Sequence, residues 1–248
     1  MSGLTRRAIA CLTGNQRENM VEQHTLKAFD EDIDKLRGLI AEMGGRVETA
    51  LEDAMTALVE QDFAKAKTVV DNDQRIDALE SEIDRLVVQT IALRAPMADD
   101  LRGVIAALKI AGIVERIGDY AKNIAKRVPK IGNERTIEPL SLLPSMAQIA
   151  GEMVGDALNA FAARNAPLAE AVIARDTVVD SFYNSIFRTL VTYMVENPKT
   201  ITECAHLLFI AKNIERIGDH ATNVAEMVYF AATGRYLPER DRPVEIES

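Results

Sequence analysis

Apolar residues recur at helical spacing from Met20 to about Ala232, in long runs separated by short polar or proline-containing breaks. The pattern predicts six long helices. The first runs from about His24 to Glu60, with Gly44 and Gly45 weakening its middle. Gln61-Asp62 breaks it, and Asp62 is placed to cap a second helix that reaches about Arg94. Pro96 marks the next turn, and a third helix extends to about Val128, with Ile110, Ile113, Ile117 and Ile124 on its core face. Residues 129–139, PKIGNERTIEP, carry two prolines, a glycine and mixed charge, and read as a linker. A fourth helix spans roughly 140–163 and breaks at Asn165 and Pro167; a fifth runs to about Glu196. Asn197-Pro198 ends the fifth, and a sixth reaches about Ala232 before Gly234 and Pro238.

The pattern occurs twice. Residues 115–119 read ERIGD and so do 215–219; YAKNIAK follows the first copy and HATNVAE the second. A shift of 103 places Met43, Asp53, Ala54, Ala57, Asp73 and Asp77 on Met146, Asp156, Ala157, Ala160, Asp176 and Asp180. After the second helix of each unit the shift becomes 100. The fold class is therefore all-α, two pseudo-symmetric three-helix bundles. The first covers residues 20–129 and the second 139–235, with 236–248 as a C-terminal tail. Residues 1–19, with Arg6, Arg7 and Arg17 and no sustained helical stripe, are expected to be a disordered extension.

The doubled motif concentrates acid on the helices. Glu115 and Asp119 lie four apart, one turn along one face, and Asp73 and Asp77 do the same on the second helix. Pro96 lies nineteen residues from both Asp77 and Glu115, and twenty-three from both Asp73 and Asp119. In an antiparallel hairpin equal arms mean equal height, so these four carboxylates should share a level. Around Pro198, Asp180 and Glu215 stand eighteen and seventeen residues away, and Asp176 and Asp219 twenty-two and twenty-one. Each hairpin is thus expected to gather four carboxylates. Like charges one turn apart repel, and an all-oxygen group suits a hard or borderline cation such as Mg, Mn or Fe. The rival partners are Arg116 and Arg216, since a guanidinium neutralises carboxylates without a metal. Where the first unit continues with Glu80 and Asp84, the second has Tyr183 and Phe187, so its site should be less acidic.

Composition narrows the alternatives. An apolar fraction of 48% is ample for a core, and a net charge of −9 argues against nucleic acid as the main ligand. Cys11 and Cys204 lack metal-type spacing and read as reduced thiols in a cytosolic protein. No apolar run approaches the roughly 20 residues that span a bilayer. AIAC at 8–11 follows an apolar stretch too short for an export signal. Glu203 and His206 form one ExxH, the spacing of carboxylate-bridged di-iron bundles, which need two. That leaves an iron-handling or redox bundle as the alternative reading, weakened because His206 falls on the opposite side of its helix from Glu215. His220 has Tyr120 at the equivalent place, and His24 stands alone near a helix start. No glycine-rich phosphate loop and no nucleophile–base pairing is present.

Two three-helix repeats, each carrying ERIGD and then (Y/H)AxNxA, resemble the PhoU family of phosphate-uptake regulators, as does the opening HTLKAFDEDIDKLRGLI. The resemblance covers about residues 20–235. It implies a cytosolic, non-enzymatic, dimeric protein. Such a protein acts with the phosphate ABC transporter and the sensor histidine kinase of the phosphate-starvation response, and restrains both when phosphate is plentiful. It also implies metal at (E/D)xxxD pairs, here Asp73/Asp77, Glu115/Asp119, Asp176/Asp180 and Glu215/Asp219. The N-terminal extension has no counterpart in that pattern.

Overall fold

The computed structural model describes the backbone of residues 4–131, 137 and 141–237, and side chains from residue 27 onward. Its helices are α1 (Leu4–Glu60), α2 (Phe63–Arg94), α3 (Asp99–Ala125), α4 (Leu142–Ala163), α5 (Ala166–Glu196) and α6 (Ile201–Thr233). No strand occurs among the described residues. Side-chain caps make two of the breaks, one of them expected at Asp62. Asp62 caps α2 by accepting from the Lys65 backbone N–H at 2.9 Å, and Asn165 caps α5 by accepting from Leu168 N–H at 3.1 Å. Gly234, at φ 71°, closes α6 in the left-handed region that glycine enters without a Cβ clash.

Two boundaries differ from the sequence reading. The α1 helix starts at Leu4 rather than near His24, so its backbone continues through most of the segment expected to be a disordered extension. No proline interrupts residues 4–60, and a helix already nucleated propagates at little further cost. Gly44 and Gly45, expected only to weaken α1, lie within its continuous span. The α3 helix ends at Ala125, and a short 3-10 turn at Val128–Lys130 completes the arm. The expected linker lies largely outside the described residues; Pro129 and Lys130 belong to the 3-10 turn, and the side chains of Ile131 and Ile137 join the core. The tail beyond Leu237 also lies outside them.

Each repeat packs α1–α2–α3 or α4–α5–α6 into a three-helix bundle, and the two bundles join through α3 against α6 and α1 against α4. Leu36, Ile40, Met43, Ile83, Ile110, Ile117 and Ile124 are among the fully buried side chains; Ile113 packs at the margin of the core. The repeat reappears in space. A Cβ added to Gly118 would lie 3.0 Å from Ile76 Cδ1, and one added to Gly218 would lie 3.3 Å from Val179 Cγ1. Ile76 and Val179 are equivalent under the 103-residue shift, so the glycine of each ERIGD serves the same close approach of two helices.

Equivalent residues also meet across the junction. Tyr120 and His220 pack edge to face with centroids 5.2 Å apart, which places both on the pseudo-twofold axis between α3 and α6. Farther along, Arg127 donates to His206 Nδ1 at 3.0 Å and lies 3.7 Å above the Phe209 ring. These pairings run α3 antiparallel to α6. Between α1 and α4, Gly44 faces Leu158, Glu48 faces Gly155 and Leu51 faces Gly151, another antiparallel pair.

Candidate metal centre

Alpha-helical period brings the first-repeat carboxylates to one side of the α2/α3 hairpin, and the turn at Pro96 sets their heights. Lys122 Nζ donates to Asp73 Oδ2 at 2.5 Å and to Asp119 Oδ1 at 3.0 Å, so Asp73 and Asp119 share a level as the equal arms require. Glu80 sits opposite Gly112, whose added Cβ would be 3.4 Å from Glu80 Oε1; each is sixteen residues from Pro96. Asp73 is 4% exposed, and a carboxylate held so deep needs a cation beside it. Lys122 supplies that cation. The two carboxylates in turn push the Lys122 ammonium well above the ordinary lysine range.

The other acids in this patch have no such partner. Burial, then the Asp73 charge beside it, raises the Asp77 carboxyl above its usual range, against the lowering influence of Lys122. Burial, then Asp119, Glu80, Asp77 and Asp73, raises Glu115. Burial, then Asp84 and Asp77, raises Glu80. Six carboxylates, Asp73, Asp77, Glu80, Asp84, Glu115 and Asp119, are therefore close enough for neighbours to oppose one another's ionisation, and one ammonium offsets only part of the repulsion.

In the second repeat the cation comes from the other end of the motif. Lys212 donates to Glu215 Oε1 at 2.7 Å and lies 5.2 Å from the centroid of the Tyr183 ring, the residue that replaces Glu80. Burial works to lower the Lys212 ammonium, but its bond to Glu215 and the charge of Asp219 outweigh that and raise it. Glu215 Oε2 is buried and accepts no hydrogen bond. Val179 against Gly218 fixes the α5/α6 register, with Asp176 and Asp180 flanking Val179 as Asp73 and Asp77 flank Ile76. The second patch is the less acidic of the two, as Tyr183 and Phe187 imply.

The side-chain cations bonded to Asp73, Asp119 and Glu215 are lysines, not the rival arginines. Arg216 lies 5.9 Å from the Tyr120 ring at the pseudo-twofold axis, and His220 is lowered by burial first and then by the charges of Arg116 and Arg216. They follow Glu115 and Glu215 by one position and so turn 100° away from the carboxylate face. Lys122 lies three residues after Asp119 and Lys212 three before Glu215, spacings that do share a face. Among the described residues no three His, Cys, Asp or Glu side chains are gathered as a ready-made metal cage. The donor set is all-oxygen and suits a hard cation, and Asp77, Glu115 and Glu80 have acid to spare. A cation binding Asp73 and Asp119 must displace the Lys122 ammonium.

The remaining candidates fall away from both patches. His206 is occupied by Arg127, and burial, then Arg127 and Lys130, keeps it below the usual histidine range. His220 Nδ1 lies 2.8 Å from the Arg216 carbonyl. Cys204 is a free buried thiol. The side chains of Cys11 and His24 lie outside the described residues.

The raised carboxyls make a prediction with a fixed sign. A carboxyl raised by folding favours the folded state below the ordinary carboxylate range, and that advantage is lost as pH rises through its raised value. Asp77→Asn with Glu115→Gln should therefore stabilise the metal-free protein at neutral pH, with the gain shrinking as pH falls towards 4. His206 and His220, both lowered, lose stability as pH falls below the ordinary histidine range, so the difference between variant and parent is the quantity to follow. Denaturant melts across that range check it; a gain that is absent at neutral pH contradicts the repulsion.

The PhoU domain matches residues 40–128 and 143–228 of this chain, one copy per bundle. The "Phosphate-specific transport system accessory protein PhoU homolog" of Zymomonas mobilis is 56% identical over 219 residues, covering 88% of this chain and 92% of that protein. The protein of the same name in Rhizobium meliloti is 43% identical over 225 residues, covering 90% and 94%. The crystal structure of PhoU from Pseudomonas aeruginosa superposes with a TM-score of 0.80 at 36% identity, covering 84% of this chain and all of that one. The phosphate transport system regulatory protein PhoU from Streptococcus pneumoniae also gives 0.80, at 26% identity, with 85% of this chain covered. With both repeats matched and the bundle pair shared, this chain belongs to the PhoU family.

Proposed function

We propose that this protein is a non-catalytic cytoplasmic regulator that restrains phosphate uptake and the phosphate-starvation response when phosphate is plentiful. It acts as a homodimer on the ATPase of a phosphate ABC transporter and on a phosphate-sensing histidine kinase. The observation that carries this reading is kinship over nearly the full length of proteins named as accessories of phosphate-specific transport. No helix among the described residues is long and apolar enough to cross a membrane, so contact with the transporter would be peripheral.

In this reading Mg, Mn or Fe ions are held by Asp73, Asp77, Glu115 and Asp119 in the first patch. Asp176, Asp180, Glu215 and Asp219 hold them in the second. The ion supplies positive charge that removes the mutual repulsion of these groups, and the hairpin face becomes one a partner can approach. In a bacterium stripped of its own PhoU protein, expression of the chain should restore phosphate repression of a starvation-responsive reporter. The variant with all eight carboxylates changed to amides should remain folded and lose at least about tenfold of that repression, the scale of one 1.4 kcal/mol interaction. Failure of the unaltered chain to repress would sink the proposal, and an undiminished amide variant would remove the metals from it.

A further inference from the structure

Between α1 and α4 lies a groove of about 860 Å³ that the carboxylate patches do not use. The two helices approach closely where Gly44 meets Leu158, and the groove extends along them to Glu60 and Pro144. The floor is apolar and flat: Leu51, Met55 and Ala147 line it, and Gly151 and Gly155 contribute no side chain. An added Cβ at Gly155 would lie 3.0 Å from Glu48 Oε1, so a larger residue there would cover that carboxylate. The rim is acidic, with Glu48, Glu52 and Glu60 on the α1 side and Glu152 and Asp156 on the α4 side, and among the described residues no lysine or arginine lines the groove. Arg175 neutralises the α4 pair at 2.7 Å to each. The three α1 glutamates have no ion pair with any described residue, and burial holds Glu48 above the usual carboxylate range with no cation to offset it.

We propose that this groove receives a basic amphipathic helix from a partner protein. An apolar strip bordered by uncompensated negative charge calls for a ligand with an apolar stripe bordered by positive charge. A bare cation or a nucleic acid supplies only one of the two. Glu48, Glu52 and Glu60 lie on a single i, i+4 row, so they meet lysines or arginines spaced by whole turns. From Glu48 to Glu60 the rim spans roughly 18 Å, which fits a ligand helix of about three turns. The inference depends on the regulatory reading only in supposing that a partner docks; its test reads binding alone, so either can fail without the other.

The probe is a fluorescein-labelled leucine–lysine peptide of about 18 residues in helical repeat, a length near the minimum for an isolated helix. A scrambled peptide of the same composition serves as control. Fluorescence anisotropy at physiological salt should show the amphipathic peptide binding at least about tenfold more tightly than the scrambled one, the equivalent of 1.4 kcal/mol. The variant E48Q/E52Q/E60Q, and separately Gly151→Phe, which fills the floor without changing charge, should each weaken it by a similar factor. Removing three exposed carboxylates elsewhere, Asp71→Asn with Glu170→Gln and Glu196→Gln, should change it less than about twofold if bulk charge is screened as expected. Thermal melts establish that each variant is folded. Equal binding of the two peptides, an unchanged triple glutamine variant, or loss of self-association in that variant, which would make a second copy the occupant, overturns the proposal.

Discussion

Lys122→Ala is expected to lower the stability of the metal-free protein by about 2–3 kcal/mol, because it strands Asp73 without a cation. Removing one partner of a fully buried pair costs somewhat more; Lys122 is 24% exposed, and water moderates the loss. For a chain of this size the melting temperature should fall by roughly 5–10 °C. Two further results separate this from simple loss of packing. Adding Asp73→Asn should restore most of the stability, since the stranded charge is gone and an amide is cheaper to bury. Adding Mn²⁺ should stabilise Lys122→Ala more than the parent, because no ammonium has to leave Asp73 and Asp119 first. Thermal melts of the three proteins with and without Mn²⁺ measure all of this. A Lys122→Ala protein as stable as the parent would mean that the Asp73 carboxylate is not held as the structure places it.

Gly118→Leu should be comparably damaging for a different reason. The α2 and α3 helices touch at this point, with Ile76 Cδ1 already 3.0 Å from where a Cβ would stand. Alanine sets a helix-propensity gain against a tight contact, and the two nearly cancel. Leucine adds three more carbons into a packed seam, at an expected cost of about 3 kcal/mol. It must also pry the hairpin open at the level of Asp73 and Asp119. Gly118→Leu should therefore lose stability and the Lys122 bridge together, whereas Leu79→Ala, in the same bundle core, should lose stability alone. Denaturant melts read the first, and the Lys122 side-chain amine shift in NMR reads the second. A bridge that survives in Gly118→Leu contradicts the role given to the ERIGD glycine.

Much of this was legible before any coordinates. A turn fixed by proline sets the register of an antiparallel helix pair, so counting outward from Pro96 was enough to level Asp73 with Asp119. Asp62 announced a helix start because capping is local chemistry, and Asn165, read only as a break, caps α5 in the same way. The lysine counter-ions were not legible from the repeat. Arg116 and Arg216 are repeated, whereas Lys122 matches Thr222 and Lys212 matches Gly112, so the repeat itself hides them. The helical wheel contained the signal, since three residues either way from an acid is a shared face. The seams between bundles were not legible at all. No periodicity says that Tyr120 will meet His220, or that α1 will lie antiparallel to α4 with a groove between them. Those contacts depend on how two amphipathic bundles choose faces, which is a tertiary matter.

The central claim is that each hairpin holds its carboxylates at one level as a seat for a cation. Crystals grown with Mn²⁺ and measured for anomalous scattering test it directly. The account predicts one or more peaks at the α2/α3 hairpin, roughly 2.1–2.3 Å from carboxylate oxygens of Asp77 and Glu115. Lys122 should be turned away wherever Asp73 or Asp119 joins the ion. Ordered crystals with no peak at either hairpin at millimolar Mn²⁺, and Lys122 still bridging Asp73 to Asp119, would contradict it.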